Sequence, residues 1–429
     1  MPSDNDIQIH GTVAEGFEPV RDLYEKNLRT LAERNTQLCV YLGDTCVVDL
    51  WGSAVNDTAF SADSLVNVFS SGKSLEAITL AMLVSRGLLD YQARIADYWP
   101  EYAKHGKEET TVADLMRHEA GLAAFDTAIE PRDLQPDRLR ENAVGNLIER
   151  QTARYRPGPD QRREYHAITR GWIAGELLRR VDPAGRTMGE FLRDEVAEPL
   201  GIDVHIGVPD AAMARISPVK PLGLGFQMRQ GMIPRAMGRK MELNLLQMVA
   251  KVSSLLPAAR ERTTKGMPPA LKGMRSASFI DSPEVASSEI PSAGAKCSAR
   301  GLARLAAVMA NEGNQFGHTL MSDQAHELLH AAPQERSMMA LTTTFSQGGL
   351  ASFPQPRQQD TRFDRELNRG REGFYGWMGL GGSIFQWHPK LRIGFGYVPT
   401  SLNILDLVNA RGKSYQAAVV ECVNRLSQA

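Results

Sequence analysis

The sequence predicts an α/β protein in which an antiparallel sheet, flanked by helices, is built from both ends of the chain. Two strand-like apolar runs joined by a short turn occur near the start, and a second such pair occurs near the end. Between them, residues 87–290 show mainly helical periodicity interrupted by proline and glycine. We therefore predict an α/β sheet domain formed by residues 1–86 and 291–429, an inserted helical domain at 87–290, and an active site between them.

Each predicted element has an apolar pattern of the matching period. In the terminal segments these are a helix at 20–34, strands at 37–42 and 46–51, a helix from Ser70 to 84, strands at 383–387 and 391–398, and a helix at 415–426. In the insertion the clearest helices are 112–117, 142–151 and 168–180. Residues 351–373 are polar and rich in Arg, Gln and Pro, and we expect a mobile loop there.

Composition excludes several functional classes. The net charge of −1 and the lack of long charged runs give no reason to expect nucleic acid or a membrane as partner. No signal-peptide pattern opens the chain and no segment approaches a membrane span, so we expect a cytoplasmic protein, and we leave a homo-oligomer open. The cysteines lack C-x-x-C spacing, and we expect buried thiols rather than disulfides at Cys39, Cys46, Cys297 and Cys422.

Ser70 and Lys73 form an S-x-x-K motif where an apolar run changes into a helical pattern. Residues three apart on the first turn share a face, so the Lys73 amine can reach the Ser70 oxygen and take its proton. The positive end of the helix dipole favours the charge that develops there. A second match, at Ser217 and Lys220, has a proline directly after the serine and no helical pattern behind it, which indicates a loop.

An activated serine also needs a proton relay and an oxyanion hole. Tyr165, just ahead of the helix at 168–180, is the candidate relay, although its local sequence equally fits a ring that packs at a surface. The glycine-rich segment 375–383 leads into a strand, and its backbone N–H groups can point at an oxyanion, although a simple glycine-rich turn is the alternative.

Three segments, taken in order, resemble the three motifs of the serine β-lactamase and penicillin-binding superfamily. They are Ser70 to Lys73, residues 165–167 and residues 377–379. The similarity is greatest to its class C-like branch, which includes carboxylesterases and acyltransferases, and it extends from about Gly11 to the last helix. The resemblance implies a β-lactamase/transpeptidase-like fold and an acyl-serine mechanism without metal or organic cofactor.

The same resemblance implies a role for each matching residue. Ser70, Lys73 and Tyr165 would be catalytic, the backbone N–H groups of Ser70 and Leu380 would form the oxyanion hole, and substrate would contact His166, Trp377, Met378 and Gly379.

Two positions depart from the family pattern. Trp377 stands where true β-lactamases have lysine, and Ala167 stands where they have asparagine. Without that cation and amide, a substrate carboxylate or acylamide would be buried without partners, at a cost of several kcal/mol. We therefore expect a carboxylesterase-like serine hydrolase for small neutral esters, whose partner is a small-molecule ester or amide substrate. The alternatives are a β-lactamase or D-amino-acid peptidase, an acyltransferase at the same site, and a non-catalytic scaffold of the same fold.

Three other features have competing interpretations. His326, Glu327 and His330 fit the zinc-peptidase pattern H-E-x-x-H, but the apolar stripe of their helix indicates that they face solvent, and no downstream helix offers a third ligand. His118 precedes a Gly-Leu turn and is expected to be structural. The methionines of residues 228–241 fit core filler or the lining of an acyl pocket.

Overall fold

Strands from both ends of the chain form the central sheet of the computed structural model, which describes residues 7–158, 162–260 and 262–428. The strands are β1 (Gln8–Val13), β2 (Asn35–Leu42), β3 (Thr45–Ser53), β4 (Val66–Asn67), β5 (Val204–His205), β6 (Lys220–Pro221), β7 (Lys296–Cys297), β8 (Asn314–Gln315), β9 (His318–Thr319), β10 (Gln334–Met338), β11 (Leu341–Phe345), β12 (Ala351–Ser352), β13 (Ile384–His388), β14 (Ile393–Pro399) and β15 (Ser401–Leu402). The central sheet has the order β1-β3-β2-β14-β13 and is antiparallel throughout, which confirms the predicted sheet.

Helices cover both faces of this sheet and fill the middle of the chain. They are α1 (Glu18–Thr30), α2 (Lys73–Ser85), α3 (Ile95–Tyr98), α4 (Val112–Met116), α5 (Pro136–Arg140), α6 (Ala143–Arg150), α7 (Thr169–Val181), α8 (Met188–Leu192), α9 (Glu198–Leu200), α10 (Asp210–Met213), α11 (Leu224–Met232), α12 (Leu245–Arg260), α13 (Pro283–Ala286), α14 (Ala299–Ala310), α15 (Asp323–His330), α16 (Arg362–Asn368) and α17 (Ala410–Leu426).

Helix α14 lies directly against one face of the sheet. Gly394 and Gly396 on β14 allow this approach, since a Cβ at Gly396 would lie 2.5 Å from the carbonyl oxygen of Ala299. Helices α1 and α17 pack together on the opposite face. The sheet thus has a separate apolar core on each side, and the α14 core continues into α2 and α7, which carry the candidate site.

The middle of the chain is mainly helical, as predicted, and is joined to the sheet region by short strand pairs. β5 pairs with β7, and β6 pairs with β15. The exact division into two domains stays a prediction. No helix in the described ranges is long and apolar enough to cross a bilayer.

Two local predictions were wrong, and the placement of the methionines, which the sequence left open, is now known. Residues 351–373 contain α16, whose N-cap Thr361 forms a capping box with the buried Asp364, so this segment is not simply a loop. Cys46 is exposed, whereas Cys39, Cys297 and Cys422 are buried, and all four are free thiols. Only Met241 of the methionine-rich segment is core, because Met228 and its neighbours Met232 and Met237 point to solvent.

Candidate active site

Ser70 lies on a turn of 3₁₀-helix, Phe69–Gly72, that leads directly into α2. The turn begins with an abrupt change of direction, because Phe69 adopts a left-handed backbone conformation with φ of 46°. The prediction that Ser70 stands at a helix N-terminus is therefore confirmed. The hydroxyl is half-buried between the sheet region and the helical insertion.

Lys73 is almost fully buried and its amine reaches three oxygen atoms. Its Nζ lies 3.4 Å from Ser70 Oγ, 2.7 Å from the carbonyl oxygen of Ala167 and 3.0 Å from that of Ser292. Burial lowers the pKa of Lys73 to about 7, with the nearby Glu76 carboxylate opposing the shift and Arg170 adding to it. A substantial fraction of this amine is thus neutral near pH 7.

Tyr165 completes the hydrogen bonding of Ser70. Its hydroxyl donates to Ser70 Oγ at 2.6 Å, and it accepts a hydrogen bond from Trp377 Nε1 at 3.1 Å. Burial raises the pKa of Tyr165, with the bonds to Ser70 and Trp377 opposing it, so the phenol keeps its proton at neutral pH. Burial therefore favours the neutral form of both Lys73 and Tyr165.

A buried ion pair, which sequence reasoning missed, supports the first turn of α2. Arg170 Nε donates to Glu76 Oε2 at 2.8 Å, and both side chains are completely buried. Arg170 also donates to the carbonyl oxygen of Lys73 at 2.8 Å, while the Ser292 hydroxyl donates to Glu76. Glu76 one turn after Lys73, on an otherwise apolar helix, is the signal that could have indicated this cluster.

The loop that carries Leu380 is held against the Ser70 turn. A Cβ on Gly379 would lie 2.2 Å from the carbonyl oxygen of Val68, so only glycine fits there. Ser383 Oγ also donates to that carbonyl, at 2.6 Å. In the described ranges, neither the Ser70 N–H nor the Leu380 N–H has an acceptor in the protein. Both groups are available to an oxygen atom of a bound molecule.

His166, which was expected to contact substrate, has a completely buried imidazole. Its Nε2 accepts from the Leu122 N–H at 3.0 Å, and its Nδ1 bonds to the carbonyl oxygen of Glu164 at 2.7 Å. His118 is structural, as expected: its Nδ1 accepts from the His166 N–H at 3.1 Å, and its ring lies 5.0 Å from that of Tyr165. These two histidines therefore position the backbone around Tyr165.

Residues 377–379 are all buried, and Met378 Sδ accepts from Arg371 Nη1 at 3.1 Å. The substrate contacts expected of Met378 and Gly379 stay a prediction. Trp377 is 8% exposed, and its ring packs against Phe345 as well as Tyr165. Its visible role is to hold the Tyr165 hydroxyl.

The H-E-x-x-H histidines face the protein interior, which corrects the expected solvent-facing helix. His326 Nε2 bonds to the carbonyl oxygen of Met309 at 2.9 Å. His330 bonds through Nδ1 to the carbonyl oxygen of His326, and its Nε2 accepts from Trp387 Nε1 at 3.1 Å. Only Glu327 points outward. The histidine nitrogens thus make hydrogen bonds within the protein. Among the described residues no cluster of three metal-ligating side chains forms.

A cleft of about 1030 Å³ begins at Tyr165 and Ala167. One wall is apolar and includes Phe125, Ile168, Trp172, Met267 and Met274. Its charged lining residues are Arg162, Arg163, Glu164, Arg262, Glu335 and Arg336. Such a cleft accommodates an organic group much larger than acetyl beside Tyr165, whose hydroxyl is bonded to Ser70.

The fold, together with a serine, lysine and tyrosine in contact, defines a class of protein. The chain belongs to the beta-lactamase family, whose model matches residues 21–413. Esterase/beta-lactamase LipL of Mycobacterium tuberculosis (strain ATCC 25618 / H37Rv) is 28% identical over 384 residues, which cover 85% of this chain and 76% of the relative.

Solved structures agree with this classification. A penicillin-binding protein homolog from Caulobacter crescentus is 25% identical with a TM-score of 0.73, over 97% of this chain and 100% of the other. A family VIII carboxylesterase is 25% identical with a TM-score of 0.72, again over 97% and 100% of the two chains. The protein is thus a beta-lactamase-fold hydrolase with esterases among its relatives.

Proposed function

We propose that this protein is a serine carboxylesterase that cleaves neutral esters through an acyl-Ser70 intermediate. The observation that carries the proposal is the hydrogen bonding of Lys73. A neutral amine has two N–H groups and one lone pair, and the carbonyl oxygens of Ala167 and Ser292 accept both N–H groups. The lone pair is left for the hydroxyl proton of Ser70, while Tyr165 donates to the same oxygen.

In this mechanism Ser70 Oγ forms a bond to the ester carbonyl carbon as its proton passes to the Lys73 amine. The carbonyl oxygen becomes an oxyanion that accepts from the N–H groups of Ser70 and Leu380. When the adduct collapses, the bond to the alcohol oxygen breaks and that oxygen takes the Tyr165 proton. The Lys73 ammonium, 4.9 Å from the centre of the Tyr165 ring, restores the phenol proton. Water then attacks the acyl-serine and its proton returns through the same groups.

The names of the relatives support an ester substrate, since one is an esterase/beta-lactamase and another is a carboxylesterase. The absence of a lysine at position 377 supports a neutral ester as substrate, because an indole takes the place of the cation beside Tyr165. An acyltransferase reaction would use the same intermediate with an alcohol or amine in place of water.

Covalent labelling tests the proposal. Wild-type protein treated with a fluorophosphonate should gain one adduct, which peptide mass spectrometry should map to Ser70. Ser70→Ala should abolish both the adduct and p-nitrophenyl butyrate hydrolysis while the circular dichroism spectrum stays unchanged. A label on the neighbouring Ser71, whose hydroxyl donates to the carbonyl oxygen of Ser383, would contradict the assignment.

A further inference from the structure

Helix α11 buries polar side chains and exposes apolar ones, which is the reverse of an ordinary surface helix. Its glutamines are buried: Gln227 Nε2 donates to the carbonyl oxygen of Leu222 at 2.7 Å, and Gln230 Oε1 accepts from a backbone N–H at 2.7 Å. Its apolar side chains point outward, with Leu224 67%, Met228 48% and Met232 65% exposed. These three residues are spaced four apart and so form one stripe along the helix.

The partner helix α12 also carries exposed apolar side chains. Leu246 is 80%, Val249 60% and Val252 45% exposed, whereas Met248 turns inward against α11. Together with Met237 on the connection, the α11–α12 hairpin (residues 223–260) holds seven of the ten large apolar side chains exposed in the described part of the chain. This concentration exceeds what scattered surface residues would give and indicates an interaction surface.

The same segment is strongly basic, although the whole chain is almost neutral. Residues 223–260 contain six Lys and Arg and only one Glu, whereas the rest of the chain has six more acidic than basic residues. Arg229 and Arg235 are exposed beside the apolar stripe of α11. The surface is thus complementary to an anionic partner, and two such faces of identical chains would repel each other.

Both ends of the hairpin connect to the candidate site. Before α11, the Leu222 N–H donates to the carbonyl oxygen of Leu402 at 3.0 Å, and the neighbouring Asn403 pairs with Gly381, beside the exposed Leu380. After α12, the Thr263 N–H donates to Glu164 Oε1 at 2.9 Å, one residue before Tyr165. The hairpin therefore spans from the oxyanion side of the site to the cleft wall.

We propose that the α11–α12 hairpin docks the enzyme onto an anionic lipid surface, with the mouth of the active site beside the lipid. Leu, Met and Val side chains would enter the boundary between headgroups and acyl chains, and the arginines would contact lipid phosphates. This mode of attachment needs no membrane-spanning helix. It departs from the expectation of no membrane partner, which considered the net charge of the whole chain and not its distribution.

Vesicle sedimentation tests the proposal. Wild-type protein should bind vesicles of equimolar phosphatidylglycerol and phosphatidylcholine, and should bind phosphatidylcholine alone much more weakly. The triple variant Met228→Ser, Met232→Ser, Leu246→Ser should lose at least about tenfold in affinity. Arg229→Gln and Arg235→Gln should each cost about fivefold at low salt.

Matched controls separate docking from general effects. Met228→Ser should weaken vesicle binding, whereas Leu426→Ser, at the end of α17 with a similar exposure of 46%, should not. None of these variants should alter hydrolysis of soluble p-nitrophenyl butyrate. The proposal does not depend on the catalytic assignment, so Ser70→Ala should bind vesicles as wild type does.

Two results would overturn the proposal. The first is wild-type protein that binds neither vesicle type, or binds both equally. The second is a dimer, measured by light scattering, that the triple variant dissociates while vesicles remain unbound, because the hairpin would then contact a second copy of the chain.

Discussion

The protonation state of Lys73 decides whether its amine can take the serine proton. Because burial lowers the pKa of Lys73 to about 7, the neutral fraction rises as pH increases through 7. We therefore expect kcat/KM for p-nitrophenyl butyrate to rise between pH 5 and pH 8 with a midpoint near 7. A melting temperature that stays constant over this range would show that the change is not unfolding, and a flat profile would contradict Lys73 as the base.

Trp377 gives a second test at the scale of one residue. Trp377→Phe keeps most of the ring but removes the 3.1 Å hydrogen bond to the Tyr165 hydroxyl. The loss of one hydrogen bond, about 1 kcal/mol, should lower kcat roughly fivefold while KM changes little.

The matched control for Trp377 is Trp387→Phe. It removes an equally long indole hydrogen bond, to His330 Nε2, away from the site. We expect that control to leave kcat unchanged. Equal losses of kcat in the two variants would show that Trp377 acts through general packing and does not position Tyr165.

At the scale of elements, two glycines of α7 occupy different surroundings. A Cβ on Gly171 would lie 2.6 Å from Glu76 Oε1 and 2.8 Å from Ser292 Oγ, in the cluster that supports Lys73. A Cβ on Gly175, one turn later, would meet nothing closer than Met188 Cβ at 3.9 Å.

We expect Gly171→Ala to lower the free energy of unfolding by about 1–3 kcal/mol and to reduce kcat as well, because displacement of Ser292 moves an acceptor of Lys73. Gly175→Ala should raise the free energy of unfolding by about 0.5–1 kcal/mol, since alanine favours the helix interior, and should leave kcat intact. Denaturant titration and ester hydrolysis measure both effects. A stable and fully active Gly171→Ala protein would contradict the proposed tight support of Lys73.

The elements also show which features the sequence could predict. Apolar periodicity located α1, α2, α7 and the strand pairs at both ends, because these elements bury one regular face. The same reasoning failed for α15, where Ala325, His326 and Leu329 are buried. Packing against α2, and the indole of Trp387 reaching His330 from the sheet, determine which side of α15 turns inward. These contacts come from distant segments that a local pattern does not contain.

At the scale of the whole molecule, the order of the three motifs predicted the contact between Ser70, Lys73 and Tyr165. It could not predict the Glu76–Arg170 pair, whose members are 94 positions apart, nor the hydrogen bond from the Leu122 N–H to His166 Nε2. Net charge likewise concealed the basic hairpin of residues 223–260. Contacts between two remote segments require the folded chain, whereas the local excess of basic residues is readable from the sequence and was overlooked because only the total charge was considered.

The preferred substrate is a property of the whole cleft, where the helical insertion faces the sheet region. The side chain bonded to the Tyr165 hydroxyl is the Trp377 indole, and Arg336, which lines the cleft, is already paired with Glu119 at 3.2 Å. A carboxylate beside position 377 would therefore lose water without gaining the cation that a lysine there would supply, which costs about 2–3 kcal/mol or roughly 100-fold in kcat/KM. We expect p-nitrophenyl butyrate to be cleaved about 100-fold better than mono-p-nitrophenyl succinate, which has the same leaving group, and far better than a chromogenic cephalosporin. Parallel initial-rate measurements on the three substrates check this order. Faster turnover of the succinate ester or the cephalosporin would show that the arginines of the cleft bind the anion, and the neutral-ester proposal would then be abandoned.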